Sequence, residues 1–210
     1  MELPSRKLTL AVEQIASLPG IGKKSALRLA LHLLRRDEER VEAFARAILE
    51  MRTEVKPCSI CNSLSEGDTC ATCADPLRDE RLICVVEDLR DLLAIEAIGS
   101  FRGRFHVLGG LISPMDGVGP GDLAIDGLVR RAQGLTSDDA DLPPEVIFAL
   151  PTTMEGETTA FYLFKKLQPT GVRVTTIARG VAVGDDLQHA DEATLDASIR
   201  RRLPYNEAGN

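Results

Sequence analysis

Cys58-Ser-Ile-Cys61 and Cys70-Ala-Thr-Cys73 form two C-x-x-C pairs separated by eight residues. A C-x-x-C turn aims two sulfurs at one point. Two such turns close a tetrahedral four-thiolate site, which suits structural zinc and leaves no position open for catalysis. A pair of disulfides is the competing chemistry, but the N-terminus MELPSRKLTL lacks the basic-then-apolar pattern of a secretion signal. Iron–sulfur ligation is the other metal chemistry open to the same thiolates. A 16-residue module buries too little to fold unaided, so the metal is expected to be its main stabiliser. The fifth cysteine, Cys84, lies in the apolar run Leu82 to Val86 and is expected to be a buried strand residue.

A second constellation is Leu18-Pro-Gly20-Ile-Gly22, followed at once by Lys23, Lys24 and Ser25 and one turn later by Arg28. Gly20 and Gly22 let the backbone take positive φ and approach another surface closely. The helix that follows opens with unpaired NH groups and the positive end of its dipole. With Lys23, Lys24 and Arg28 at the same helix start, the expected ligand is a phosphate, as in a DNA backbone. The plainer alternative is a tight helix–helix turn with solvated lysines. Phosphate contacts of this kind read no sequence and are salt-sensitive.

The third set is acidic. Glu87 and Asp88 follow the run ending at Val86, with Asp91 close behind, and Glu155-Gly-Glu157 follow the run Val146 to Leu150. Carboxylates just past the C-terminal ends of parallel strands sit where α/β sheets place ligands, and three of them could hold Mg²⁺ with waters. Taken alone, these residues favour a plainer role, capping helix starts and complementing their dipoles.

The elements that must position these groups are legible in the hydrophobic pattern. Leu8, Val12, Ile15 and Ala16 recur at helical spacing, as do Ala26, Leu27, Ala30, Leu33 and Leu34, and then Val41, Phe44, Ala45, Ile48 and Leu49. Beyond the cysteines, short branched runs at 82–86, 105–108, 146–150 and 172–177 alternate with helical stretches near 88–98, 121–133 and 156–167. That alternation predicts a mostly parallel α/β sheet, with the turn-rich stretches 113–120 and 137–144 as connections.

Composition limits the functions available. The 210 residues carry a net charge of −7 at a pI near 5.1, so no global positive field recruits nucleic acid or anionic membrane. Residues 1–57 nevertheless hold eleven Lys/Arg against eight Asp/Glu, while the remainder is strongly acidic. Any DNA contact is therefore local and lies at the N-terminal end. Aromatic residues make up 4% with no Trp, too few for a base-stacking platform. There is no run of about 18 apolar residues to span a bilayer, and the chain reads as cytosolic.

The stretch Leu18 to Ala30, continuing through His32 to Leu34, resembles the helix-hairpin-helix of the RecR family of bacterial recombination mediators. Cys84-Val-Val-Glu-Asp88, the 113–120 loop and Thr152 to Ala160 are similar to that family's Toprim domain, and Ile177 to Asp191 is similar to its C-terminal end. The resemblance covers residues 6 to about 203 and implies four parts: a helix-hairpin-helix DNA-binding domain (1–56), a four-cysteine zinc finger (57–78), a Toprim domain (79–178) and a subunit-assembly segment (179–210). It implies Lys24 and Arg28 as DNA-facing residues, whereas Lys23 stands where many relatives carry a different residue. Toprim domains of topoisomerases and primases hold Mg²⁺ on one glutamate and an acidic pair, which match Glu87, Glu155 and Glu157. In the RecR family the same face is implied to dock RecO and RecF, with Asp88 and Asp91 adding to it.

The implied protein is a non-enzymatic DNA-repair mediator: a homotetrameric ring clamp, nucleoid-associated during repair, that helps load RecA on covered single strands. The alternatives are a Mg²⁺-dependent Toprim nuclease or primase-like enzyme and a zinc-stabilised scaffold that never touches DNA. Against a topoisomerase, neither Tyr162 nor Tyr205 has a visible activating base, and no P-loop or Rossmann fingerprint occurs. Ala182 and Asp185 depart from the Pro and Gly usual in the family. His189 is read as a surface residue, and Arg200 to Arg202 as favouring the negative end of their helix.

Overall fold

The computed structural model describes residues 3–135, 143–181, 184 and 186–200. Ala182, Asp185, Arg201, Arg202, Tyr205 and most of the 137–144 connection lie outside them. The chain divides into two compact units, 1–56 and 57–210.

The first unit is helical. α1 (Arg6–Ala16) starts where the Ser5 hydroxyl accepts from the Leu8 amide. α2 (Lys23–Leu33) follows the hairpin, and α3 (Glu38–Glu54) completes the unit. Val12, Ala26 and Ala30 form a small buried cluster, with Leu8, Ile15, Ile21 and Leu27 packed against it. α3 has the apolar periodicity of a packed helix but buries none of its residues. Phe44, Ile48, Leu49 and Met51 are all exposed.

The second unit opens with the cysteine module, which holds the two-residue strands β1 (Lys56–Pro57) and β2 (Leu64–Ser65) and the single turn α4 (Ala71–Ala74). It continues through β3 (Asp79–Val86), α5 (Leu89–Ile98), β4 (Gly103–Val107), α6 (Ile125–Gln133), β5 (Glu145–Ala149), α7 (Met154–Leu167) and β6 (Arg173–Thr176). α8 (Glu192–Arg200) ends the described chain. The four long strands are parallel in the order β4-β3-β5-β6. Strand alternation splits the core: Ile83 and Val85 face α6 and α7 with Leu128, Phe148, Leu163 and Leu167, while Cys84 and Val86 face the α5 side with Leu92 and Phe105. Cys84 is buried in β3 as expected, and burial pushes its thiol up to about 12.

Two boundaries differ from the sequence expectation. α7 starts at Met154 because the Thr153 hydroxyl accepts from the Gly156 amide and caps it early. A Cβ at Gly156 would collide with the Pro151 carbonyl, so the turn from β5 into α7 depends on glycine there. The stretch expected as helix from 121 begins as a 3₁₀ turn, Pro120–Asp122, and becomes α-helical only at Ile125.

His106 on β4 is 1% exposed, and its Nε2 meets the Ala124 carbonyl at 2.8 Å. Burial outweighs that hydrogen bond and lowers the imidazole from 6.5 to about 4, with Arg131 adding to the effect. The ring is neutral in the fold but protonates in the unfolded chain, so stability is present above pH 6.5 and is lost as pH falls toward 4. The loss is on the order of 3 kcal/mol. Urea unfolding of wild type and His106→Asn across this window should show a flatter slope for the variant, and identical slopes would contradict the assignment.

Candidate metal centre and nucleic-acid interface

The one group of three or more metal-ligating side chains among the described residues is Cys58, Cys61, Cys70 and Cys73, whose ligand atoms all lie within 4.8 Å of one another. All four are buried, and they form a cluster containing no other buried apolar side chain. A tetrahedral zinc tetrathiolate needs sulfur–sulfur separations of about 3.8 Å, from Zn–S bonds of about 2.3 Å. Cys61 Sγ and Cys70 Sγ stand 3.5 Å apart.

Local backbone makes the site. Asn62 takes φ +60, a left-handed conformation that asparagine tolerates, and its amide donates to the Cys58 carbonyl to close the first knuckle. The Cys70 amide donates to Cys58 Sγ at 3.3 Å. At Cys58, burial works to raise the thiol but the amides of Cys70, Cys61 and Ile60 outweigh it, lowering it to about 6. Cys61 is pushed up by its neighbour Cys73 and by burial. This donor set fits a structural zinc ion.

The finger does not stand alone. The Val107 amide donates to the Cys61 carbonyl at 2.8 Å, and Asn62 Nδ2 donates to the Val107 carbonyl at 2.9 Å. The finger thus covers part of the outer edge of β4. Sequence reasoning missed Asn62; its place directly after the second cysteine was the available signal.

In the hairpin, Gly20 has φ +79 and Gly22 is the N-cap of α2, with no side-chain cap and no acid in the first turn. The first amides of α2 are left for a ligand. Lys24 and Arg28 share a groove of about 360 Å³ with Leu27, Leu31, His32 and Arg35. Lys24, Arg28 and His32 lie at i, i+4 and i+8, one face of α2, and Arg35 follows just past its C-terminal end. None of the three cations Lys24, Arg28 and Arg35 has an acidic partner among the described residues. Lys23 is exposed and lines a second, more apolar groove with Val12, Ala16 and Leu27, which Lys24 also lines. Arg35 and His32 were missed in the sequence as groove residues; His32, four residues after Arg28, was signalled by helical spacing, whereas Arg35 lies past the end of α2.

The acidic residues are not gathered into one ligand set among the described residues. Asp88 is the N-cap of α5, accepting from the Arg90 and Asp91 amides, and it also pairs with the Arg90 guanidinium. These contacts, Arg90's first, hold its carboxyl below the usual range. Glu87 is pushed up by burial and by Asp91 and Asp88. Glu155 and Glu157 occupy the first turn of α7, and Glu157 is paired with Arg179 from the C-terminal segment. Asp88 is thus a helix cap and Glu157 an ion-pair partner, and the described carboxylates do not gather into the ligand set that Mg²⁺ would need.

A helical hairpin unit, followed by a four-cysteine finger built onto the edge of a four-stranded parallel Toprim sheet, defines a zinc-finger Toprim protein. Family models match in the same order: the RecR helix-hairpin-helix at residues 8–52, the RecR four-cysteine zinc finger domain at 55–75 and a Toprim domain at 81–178. Recombination protein RecR of Porphyromonas gingivalis is 52% identical over 204 residues, 97% of this chain and 96% of that protein. The proteins of the same name from Parabacteroides distasonis (52%, covering 97% and 95%) and Bacteroides fragilis (51%, covering 97% and 97%) are similarly close. The chain belongs to the RecR family.

Proposed function

We propose that this chain is a non-catalytic recombination and repair mediator that binds single- and double-stranded DNA without sequence preference. The observation that carries this reading is the groove of unpaired cations that runs from Lys24 and Arg28 near the uncapped start of α2 to Arg35 past its far end. Gly20 and Gly22 bring the backbone to the phosphate, and Lys23 adds charge at the rim. The working form is a homotetrameric ring clamp in the cytoplasm. The uncovered apolar side of α3 supports assembly, since exposed Phe44, Ile48 and Leu49 on one long helix are a costly surface for a monomer. Glu87, Asp88, Asp91, Glu155 and Glu157 form an acidic docking face for RecO and RecF, with which the chain promotes RecA loading on covered single strands.

The test is RecA assembly on single-stranded DNA coated with single-strand binding protein, with RecO, in the presence and absence of this chain. Faster RecA assembly, with the DNA left intact in millimolar Mg²⁺, is expected. Cleavage that needs Mg²⁺ and disappears in Glu87→Gln would replace the mediator with an enzyme.

A further inference from the structure

β4 is one of the two edges of the sheet, and an edge strand's outward backbone groups need partners. The Gly103 carbonyl accepts from Arg78 Nη1 at 3.2 Å, and the Val107 amide and carbonyl are met by Cys61 and Asn62 of the finger. Between them, the Phe105 carbonyl accepts from Arg131 Nη1 at 2.6 Å. Arg131 comes from the last turn of α6, next to the buried Ala132. Its second terminal nitrogen, Nη2, is buried and has no hydrogen-bond partner. A carbonyl cap needs one donor, which a glutamine would supply, so the remaining charge and donor call for another explanation.

That explanation lies in the finger. Four thiolates around one divalent ion leave two uncompensated negative charges in a buried cluster, and buried charge is costly without a counter-charge. The finger grips the same strand at Val107, two residues or about 7 Å beyond the Phe105 that Arg131 holds, so the guanidinium stands beside the four sulfurs' module. Burial pulls Arg131 down, and Cys73, Cys61 and Cys58 act in the opposite direction. Arg104, which also acts on Arg131, pairs with Glu80 at 3.2 Å. We propose that Arg131 is the outer-sphere cation of the four-thiolate zinc centre, holding the Phe105 carbonyl of the edge strand with one arm while its charge offsets the metal–thiolate group. One side chain then makes zinc affinity depend on the Toprim sheet, as outer partners do at other metal sites.

The inference rests on the zinc reading, and its test separates the two. Zinc affinity of the full chain is measured by competition with a chromogenic chelator for wild type, Arg131→Gln and Arg131→Lys, with melting curves of the zinc-loaded and zinc-free forms. Gln keeps a donor for the carbonyl without the charge, and Lys keeps the charge. The Gln variant is expected to bind zinc about 10- to 100-fold more weakly, with the Lys variant close to wild type. Wild-type affinity in the Gln variant, with melting lowered equally in both forms, would leave only a carbonyl cap and overturn the proposal. If the Gln variant does not fold, a tenfold or greater loss in the Lys variant overturns it. Wild-type chain that binds no zinc would remove the metal reading and the proposal with it.

Discussion

Removing the metal, by chelation or by Cys61→Ser, should unfold the finger while leaving most of the sheet folded. The four cysteines form a buried cluster with no other buried apolar side chain in it, so the module has no apolar core to fall back on. Zinc binding in finger peptides supplies about 10–16 kcal/mol, as much as the whole stability of a typical domain. The main sheet core, from Ile83 and Val85 to Leu163 and Leu167, includes none of these cysteines and should survive. What is lost is the cover on β4: the Val107 amide loses the Cys61 carbonyl, and the Val107 carbonyl loses Asn62. Hydrogen exchange should show fast exchange at Val107 with protection kept at Val85 and Val146. The freed edge should also make the apo protein prone to aggregation. Native protein is expected to hold one zinc per chain. A zinc content near zero after gentle purification, or a protected Val107 in metal-free protein, would contradict this account.

The second large effect is on DNA. Lys24→Ala with Arg28→Ala removes two cations from one groove of α2. A hydrogen bond to a charged group contributes about 1.5–3 kcal/mol, so two together lower affinity roughly a hundredfold or more. The log–log salt slope should flatten by about 1.8 on duplex and about 1.4 on single strands, and the loss should not depend on sequence. Arg35→Ala should produce a smaller loss of the same kind, since Arg35 lies at the far end of the groove. Fluorescence anisotropy at several salt concentrations measures both quantities. Unchanged affinity and slope in the double variant would assign the chain to the scaffold reading, a protein that never touches DNA.

The local charge of the helical unit explains how an acidic chain can do this. Residues 1–57 carry a net +3, while the rest is acidic enough to bring the whole chain to −7. A single copy offers one short cationic strip. A ring would place several around one DNA, gaining through multivalency what one chain's charge cannot supply.

The features legible in the sequence are those decided within a few residues. Two C-x-x-C turns set the four sulfurs because each pair lies within one knuckle, and the Gly20–Gly22 hairpin fixes the start of α2. Helix and strand periodicity located the parallel sheet because each face must bury its own apolar set, and the order of elements followed from that alternation. The roles of the carboxylates were not legible. Asp88 could be a ligand or a cap, and only the backbone conformation of the 87–91 turn made it a cap. Glu157 is matched by Arg179, 22 residues away, across the fold of α7 and the C-terminal segment. Asn62 meets Val107 across 45 residues, and Arg131 meets Phe105 across 26. Neither pairing leaves a local pattern. Each depends on strand order making β4 an edge strand, whose outward carbonyls the tertiary structure satisfies with whichever donors packing brings there. The sequence by itself determined that this chain holds a four-thiolate site and a cationic hairpin; the tertiary structure decided that the finger covers part of the β4 edge and that Asp88 serves as a cap and Glu157 as the partner of Arg179.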